Sequence, residues 1–287
     1  MHLILTGATG LVGSAVLDAM IKTKDITKIS IISRRPVKMA EDAKDPRINV
    51  ILHKDFEKYD SDLLNQLRGA TGCVWALGIS QNAVGKEEYV KITKDFPLAA
   101  AAAFQTLPSS GPSGPSSSPA SSSPESQSQP QQPFRFIYVS GEGATTVPLD
   151  SQPLLSRLTN PWFAIIKGQT ELSLSQLYST PGTFLPWSMR PGFVDPSSHP
   201  AITPYIPKPP FLVNLAGCVL GPPIRAGYKK MWSPTEPLGK FLVEMAMGGW
   251  DETIRKEGET GGKGIEKLEG GGVVVSNEGW RRVAGLG

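Results

Sequence analysis

Three glycines near the start of the sequence have the spacing to hold a phosphate. Gly7, Gly10 and Gly13 punctuate the run Thr6-Gly7-Ala8-Thr9-Gly10-Leu11-Val12-Gly13. Glycine lets a backbone turn sharply and approach a ligand with no side chain in the way. If a helix begins there, its unpaired N–H groups and the positive end of its dipole attract an anion. Past the next strand come Ser33, Arg34 and Arg35. At that point, about 20 residues beyond the glycines, NAD-binding domains carry an acidic residue for the ribose 2′-hydroxyl. No carboxylate stands here to repel a 2′-phosphate, and an arginine fork suits one. The pair therefore predicts NADP(H) over NAD(H), against the plainer reading of one or both arginines as solvated turn residues. Ser140 closes an apolar run and is expected at the carboxyl end of a strand, the edge where open α/β sheets bind ligands. Its plainer reading is a turn cap.

The elements that must position these residues follow from hydrophobic pattern. Leu3-Ile4-Leu5 reads as a short buried strand, and Leu11, Val12, Ala15, Val16, Ala19 and Met20 as a helix face. Lys28 to Ser33, Asn49 to Asp55, Gly72 to Gly78, Phe134 to Ser140 and Thr183 to Met189 read as further strands, and Val273-Val274-Val275 as the last. Helices are predicted over 60–67, over 87–104, around Pro161 to Leu172, from a capping signature at Ser233-Pro234-Thr235-Glu236, and over 276–283. Strand–helix alternation of this kind gives an α/β domain with a mostly parallel sheet.

With 287 residues, the chain is long enough for one large α/β domain. A net charge of +3 and the lack of basic–aromatic interleaving argue against nucleic acid. Cys73 and Cys218 are far apart, and His2, His53 and His199 lack ligand spacing, so no metal site and no disulfide are expected. The first strand begins at residue 2 and no apolar run reaches about 18 residues, which predicts a cytoplasmic protein without a spanning helix. Residues 107–133 are Pro/Ser/Gln/Gly with almost nothing apolar and read as a disordered insertion within the single domain. Residues 258–272 read as a flexible glycine-rich tract.

The Thr-Gly-Ala-Thr-Gly-Leu-Val-Gly spacing resembles the glycine motif of atypical and extended short-chain dehydrogenases/reductases, the group of NmrA-like and nucleoside-diphosphate-sugar epimerase-like proteins. That resemblance implies a Rossmann-like, doubly wound fold with a small C-terminal substrate region, here about residues 193–232. It implies cofactor contacts from Thr6, Gly7, Thr9, Gly10, Leu11, Val12 and Gly13, and from Arg34 and Arg35. Asp55 and Phe56 would flank the adenine, and Ala76, Leu77 and Gly78 would pass near the ribose and nicotinamide. Ser140 matches the strand-end serine that holds the substrate carbonyl or alcohol. Lys167 matches the lysine of the family's Tyr-x-x-x-Lys pair, which binds the ribose and lowers the pKa of the tyrosine. Arg190, Pro191 and Gly192 match a turn at the mouth of the substrate site.

One departure matters. Four residues before Lys167 stands Phe163, which has no proton to give. Tyr178 is about 16 Å further along the helix, and Tyr138 is two residues deeper in its strand. Two functions therefore stay open: an NADP(H)-dependent oxidoreductase on a small apolar carbonyl or alcohol, and a non-catalytic NADP(H)-binding sensor or regulator. A small-molecule partner is expected in either case. A homodimer through the helices at 87–104 and 161–178 is consistent with the family. The apolar run Phe211 to Leu220 reads as a helix lining a pocket, with contact to a membrane surface or a partner as the runner-up and plain core packing as the role of most of these residues.

Overall fold

Alternate residues of β1 (His2–Thr6) face different cores. Leu3 and Leu5 pack into one apolar cluster and Ile4 into the other. The same division recurs in β4 (Gly72–Trp75), where Val74 faces one side and Cys73 and Trp75 the other. It recurs in β5 (Phe134–Val139), with Ile137 opposed to Phe136 and Tyr138. Successive strand side chains point to opposite faces. A strand apolar on both faces needs helices on both faces, the condition that a parallel sheet meets.

The computed structural model describes residues 1–107, 132–147, 162–178, 183–207, 221–225 and 227–286. Eight strands form one sheet, in the order β3-β2-β1-β4-β5-β6-β10-β9. All neighbours are parallel except β10 (Val273–Val275) and β9 (Ile265–Lys267). The remaining members are β2 (Lys28–Ser33), β3 (Ile48–Leu52) and β6 (Phe184–Met189). β7 (Phe193–Asp195) and β8 (Trp232–Pro234) form a separate parallel pair. On one face lie α1 (Leu11–Lys22) and the helix Thr235–Met247, in contact with each other. There a Cβ on Gly239 would lie 2.4 Å from the Ala15 carbonyl oxygen, so only glycine allows this approach. The strand order reverses between β1 and β4. That switch point is where a doubly wound sheet opens its ligand crevice, and it sets the glycine turn after β1 beside the end of β4.

Several expectations change. The helix expected over 87–104 is broken into α4 (Lys86–Val90), a π-helical segment (Lys91–Asp95) and α5 (Phe96–Phe104). Pro97 is the cause: it has no N–H to return to the Thr93 carbonyl. That carbonyl instead accepts from the Tyr138 hydroxyl at 3.1 Å and from Thr170 Oγ1 at 3.3 Å. Residues 258–272, expected as an irregular tract, complete the helix Asp251–Thr260 and supply β9. Ile254 anchors that helix in the core, and positive-φ glycines at 261, 264, 270 and 271 make the turns. Ser233 does not cap the helix Thr235–Met247. It lies in β8, and its hydroxyl donates to Asn277 Oδ1 at 2.6 Å. The caps at Asp60 and Ser276 do form, each side chain accepting from the N–H three residues on. The insertion at 107–133 lies almost wholly outside the described residues, as do Cys218 and the helix expected over 211–220. No helix among the described residues is long and apolar enough to cross a membrane.

Candidate functional site

Gly7 leaves β1 at φ +72°, in the left-handed region that favours glycine. A Cβ there would lie 2.3 Å from the Ala76 carbonyl oxygen, and one on Gly13 would lie 2.0 Å from the Gly7 oxygen. The turn is thus wedged between the end of β4 and the first turn of α1. Gly10 is the N-cap of α1, in extended conformation and with no side chain to satisfy the first N–H groups. No acidic residue stands in that turn to oppose an anion. Ser14 ties the helix back to the loop by donating to the Ala8 carbonyl at 3.1 Å. Leu11 and Val12 are half-buried and pack their side chains on the core; neither they nor Gly10 and Gly13 line the cleft described next.

Gly7, Thr9, Ser33, Arg34, Arg35 and Leu77 line a cleft of about 400 Å³, with Ile32 and Phe56 at its apolar side. Arg35 Nη2 donates to Thr9 Oγ1 at 3.2 Å, and Ser33 Oγ donates to the Arg35 carbonyl at 2.7 Å. Both arginines are exposed. Phe56 is a core residue, 1% exposed, stacked on Phe96 and edge-on to Trp75. Asp55 does not line the cleft. It is exposed, and its carboxylate accepts from the Glu57 N–H at 3.1 Å as the cap of a turn. Gly78 is exposed, with open space around its Cα. A second cleft of about 370 Å³ shares Thr9 and Arg35 and is bounded by Lys38, Met39, Tyr205 and Ile206. Tyr205 and Ile206 fall in the region of about residues 193–232 that the family resemblance assigns to substrate.

At the end of β5 a second group assembles. The helix α6 (Trp162–Ser175) approaches the loop after β5 closely, because Gly168 has no side chain: a Cβ would lie 1.7 Å from the Thr145 carbonyl oxygen. This brings Lys167 Nζ to 2.9 Å from the Ser140 carbonyl oxygen, to which it donates. Ser140 is 5% exposed, and its Oγ has no hydrogen-bond partner among the described residues. Burial pushes the Lys167 ammonium down from its ordinary range, against an opposing pull from the Glu171 carboxylate.

Glu171, one turn beyond Lys167, is the site residue that sequence reasoning missed. Its side chain is fully buried and forms a fork with Arg190: Nε donates to Oε1 at 2.9 Å and Nη2 to Oε2. The available signal was its spacing, four residues past Lys167 on the same helix face. Arg190, expected at the mouth of the substrate site, is thus committed to a buried carboxylate. Pro191 accepts from the Glu142 N–H at 2.8 Å. The Gly192 N–H donates to Ser233 Oγ and Asn277 Oδ1, so this turn knits strand β6 to the C-terminal segments. Phe163 is half-buried, beside Trp162, whose indole meets the Tyr89 ring at 5.0 Å. Neither alternative tyrosine reaches Ser140. The Tyr138 hydroxyl is spent on Thr93, and Tyr178 packs against Gly271. Elsewhere, Asp18, His199 and Glu236 cluster with metal-ligand geometry, but the Lys22 ammonium stands among them, 2.7 Å from Asp18.

No protein-family model matches the chain. A botcinic acid biosynthesis cluster B protein 16 of Botryotinia fuckeliana is 40% identical over 153 residues, 53% of this chain and 87% of that protein. Leucinostatins biosynthesis cluster protein T of Purpureocillium lilacinum is 29% identical over 266 residues, 86% of this chain and 85% of its own. Among solved structures, an oxidoreductase of the short-chain dehydrogenase/reductase family from Burkholderia thailandensis superposes with a TM-score of 0.58 at 10% identity, covering 96% of this chain and 91% of that one. A UDP-glucuronic acid 4-epimerase from Bacillus cereus, solved with UDP-glucuronic acid and NAD, gives 0.53 at 14% identity over 85% and 72%. The solved structures share its fold, and the 40% identity with the Botryotinia protein, over 87% of that protein's length, makes the chain a member of that protein's family.

Proposed function

We propose that the chain is an oxidoreductase that binds a nicotinamide dinucleotide, NADP(H) in preference to NAD(H), and interconverts a carbonyl and an alcohol on a small apolar molecule. The observation that carries this reading is the glycine cradle: Gly7 and Gly13 have no room for a Cβ, α1 starts without a side-chain cap, and Gly7 and Thr9 of the turn before it line a cleft of about 400 Å³. These features fit a diphosphate. The backbone from Thr6 to Gly13 would hold it, Arg34 and Arg35 the 2′-phosphate, with Phe56 on the adenine side and Leu77 near the ribose. The cofactor supplies a hydride. Ser140 Oγ would orient the carbonyl, and Lys167 would hold the nicotinamide ribose. Neighbours solved with NAD support the class of cofactor, and two relatives named for biosynthesis clusters support a tailoring role. The single-domain arrangement, with its insertion at 107–133, its substrate region at about 193–232, a cytoplasmic location and pairing through α4, α5 and α6, belongs to the same proposal.

Titrating the protein with NADPH and NADH by nicotinamide fluorescence tests it. NADPH should bind more tightly, and Arg34→Ala or Arg35→Ala should weaken NADPH at least about tenfold while sparing NADH. Equal affinity for both cofactors would remove the role of the arginines, and no binding of either would overturn the reading. Phe163 favours a second reading, binding without turnover. In that case NADPH binds but no carbonyl panel is reduced, even by Phe163→Tyr.

A further inference from the structure

We propose that Lys167 itself gives the proton to the product oxygen, in place of the tyrosine that Phe163 supplants; this rests on the oxidoreductase reading above. The geometry begins with what surrounds the ammonium. Lys167 is half-buried, and its one described partner is neutral, the Ser140 carbonyl oxygen at 2.9 Å. Among the described residues it has no ion-pair partner. The carboxylate that would serve, Glu171 on the same helix face, is held in both oxygens by Arg190. A lysine drawn partly out of water without a committed counter-charge gives up its proton more readily than an exposed one.

The second observation is Ser140 Oγ, buried and unpartnered on the residue whose carbonyl Lys167 grips. A substrate oxygen bound to that hydroxyl therefore comes to the neighbourhood of the ammonium. The third is the commitment of the other titratable groups. The Tyr138 hydroxyl donates to the Thr93 carbonyl, and Tyr89 is 1% exposed and bonded at Thr93. Glu142 is exposed, and its carboxylate accepts from the Asn277 N–H at 3.0 Å. Phe163, one turn before Lys167, brings only a hydrocarbon ring.

The step balances as follows. The carbonyl carbon receives a hydride from the reduced nicotinamide, a C–H bond forms, and the C=O π pair moves to oxygen. A Lys167 N–H bond breaks, an O–H bond forms on that oxygen, and the nitrogen keeps the pair as a neutral amine. Water reprotonates the amine after product leaves. The carbonyl is reduced and the nicotinamide oxidised. Burial, which pushes the ammonium down, favours this transfer.

Two measurements decide. First, the protein labelled with 13C at lysine Cε is titrated by NMR, with Lys167 identified by the signal lost in Lys167→Arg. Its midpoint should lie clearly below those of the exposed lysines. Second, the pH profile of kcat for carbonyl reduction should fall above that same midpoint. Lys167→Arg, which keeps the charge but cannot release a proton, should lose roughly 100-fold or more in kcat with a smaller change in KM for NADPH. Phe163→Tyr added to Lys167→Arg should restore part of the rate. A Lys167 that titrates with the exposed lysines, or a Lys167→Arg enzyme with kcat and pH profile unchanged, overturns the proposal while leaving cofactor binding intact. Failure of the wild type to bind NADPH overturns the oxidoreductase reading and this role with it.

Discussion

Gly13→Ala is a stringent test of the cradle, because ordinary helix chemistry predicts the opposite result. Alanine in place of glycine inside an exposed helix stabilises by about 1 kcal/mol. At Gly13 the new Cβ would sit 2.0 Å from the Gly7 oxygen, 2.5 Å from the Gly7 carbonyl carbon and 3.0 Å from the Ala8 Cα. All three are backbone atoms, so no side chain can swing aside. Overpacking of this kind costs about 1–3 kcal/mol, and the upper end applies where backbone must move. The net expectation is a loss of about 1–2 kcal/mol, seen as a fall of roughly 2–8 °C in Tm for a domain of this size. Pushing α1 away from the glycine turn also spoils the aim of its N–H groups, so NADPH affinity should fall at least about tenfold. Gly78→Ala is the control. It lies in the turn after β4 with nothing within 4 Å of a new Cβ, and should change stability by less than about 0.5 kcal/mol. A Gly13→Ala protein that melts at or above the wild type and binds NADPH normally would refute the argument.

Other expectations follow from buried groups. Glu171→Gln leaves the Arg190 guanidinium, 14% exposed, without its counter-charge, and should cost about 3–5 kcal/mol in urea unfolding. Burial, with help from the Lys28 charge, holds the His2 imidazole at about 4 in the fold, below 6.5 in the unfolded chain. The unfolded state then binds more protons between those values, so His2 contributes stability that is complete above pH 6.5 and is lost as pH falls toward 4. The urea midpoint of the wild type should drop more steeply over that window than that of His2→Asn, by at most about 3 kcal/mol. Phe163→Tyr should raise kcat by about 100-fold or more on a carbonyl substrate, since it adds a second proton donor one turn from Lys167; a fall would show that the apolar ring is itself required.

The part of the fold that repeats was legible. Buried strands and the glycine turn declare themselves in short local patterns, and β1, β2, β5 and β6 fall within a residue or so of where the pattern put them. What stayed hidden depends on distant residues. The break at Lys91–Asp95 follows from Pro97, which the sequence displayed, but its resolution needs Tyr138 and Thr170 from other elements. The strand at Ile265–Lys267 is too short to show a period among its glycines. At the site, Gly7, Thr9, Arg34, Arg35 and Leu77 line one cleft, the first four being residues that glycine spacing and the arginine pair singled out and Leu77 one that the family resemblance did. Asp55 and Arg190 do not behave alike: a local turn claims the first and a buried carboxylate the second. Sequence spacing could locate Arg190 at the strand end, but not say which partner had already engaged it.

The placement of β10 beside β6 has a bearing on how the chain is made. β6 ends at Met189, and among the described residues its far edge is paired by Val273 to Val275 alone, with the Arg190 N–H donating to the Val275 carbonyl at 2.8 Å. During synthesis that edge stays uncovered on the order of ten seconds, until the later strand leaves the ribosome. An apolar parallel edge exposed for that long invites pairing with another nascent chain. A chaperone that binds extended apolar segments therefore has a defined interval in which to act. Slowing translation between these two strands should lower the yield of dispersed protein more than slowing it before β6.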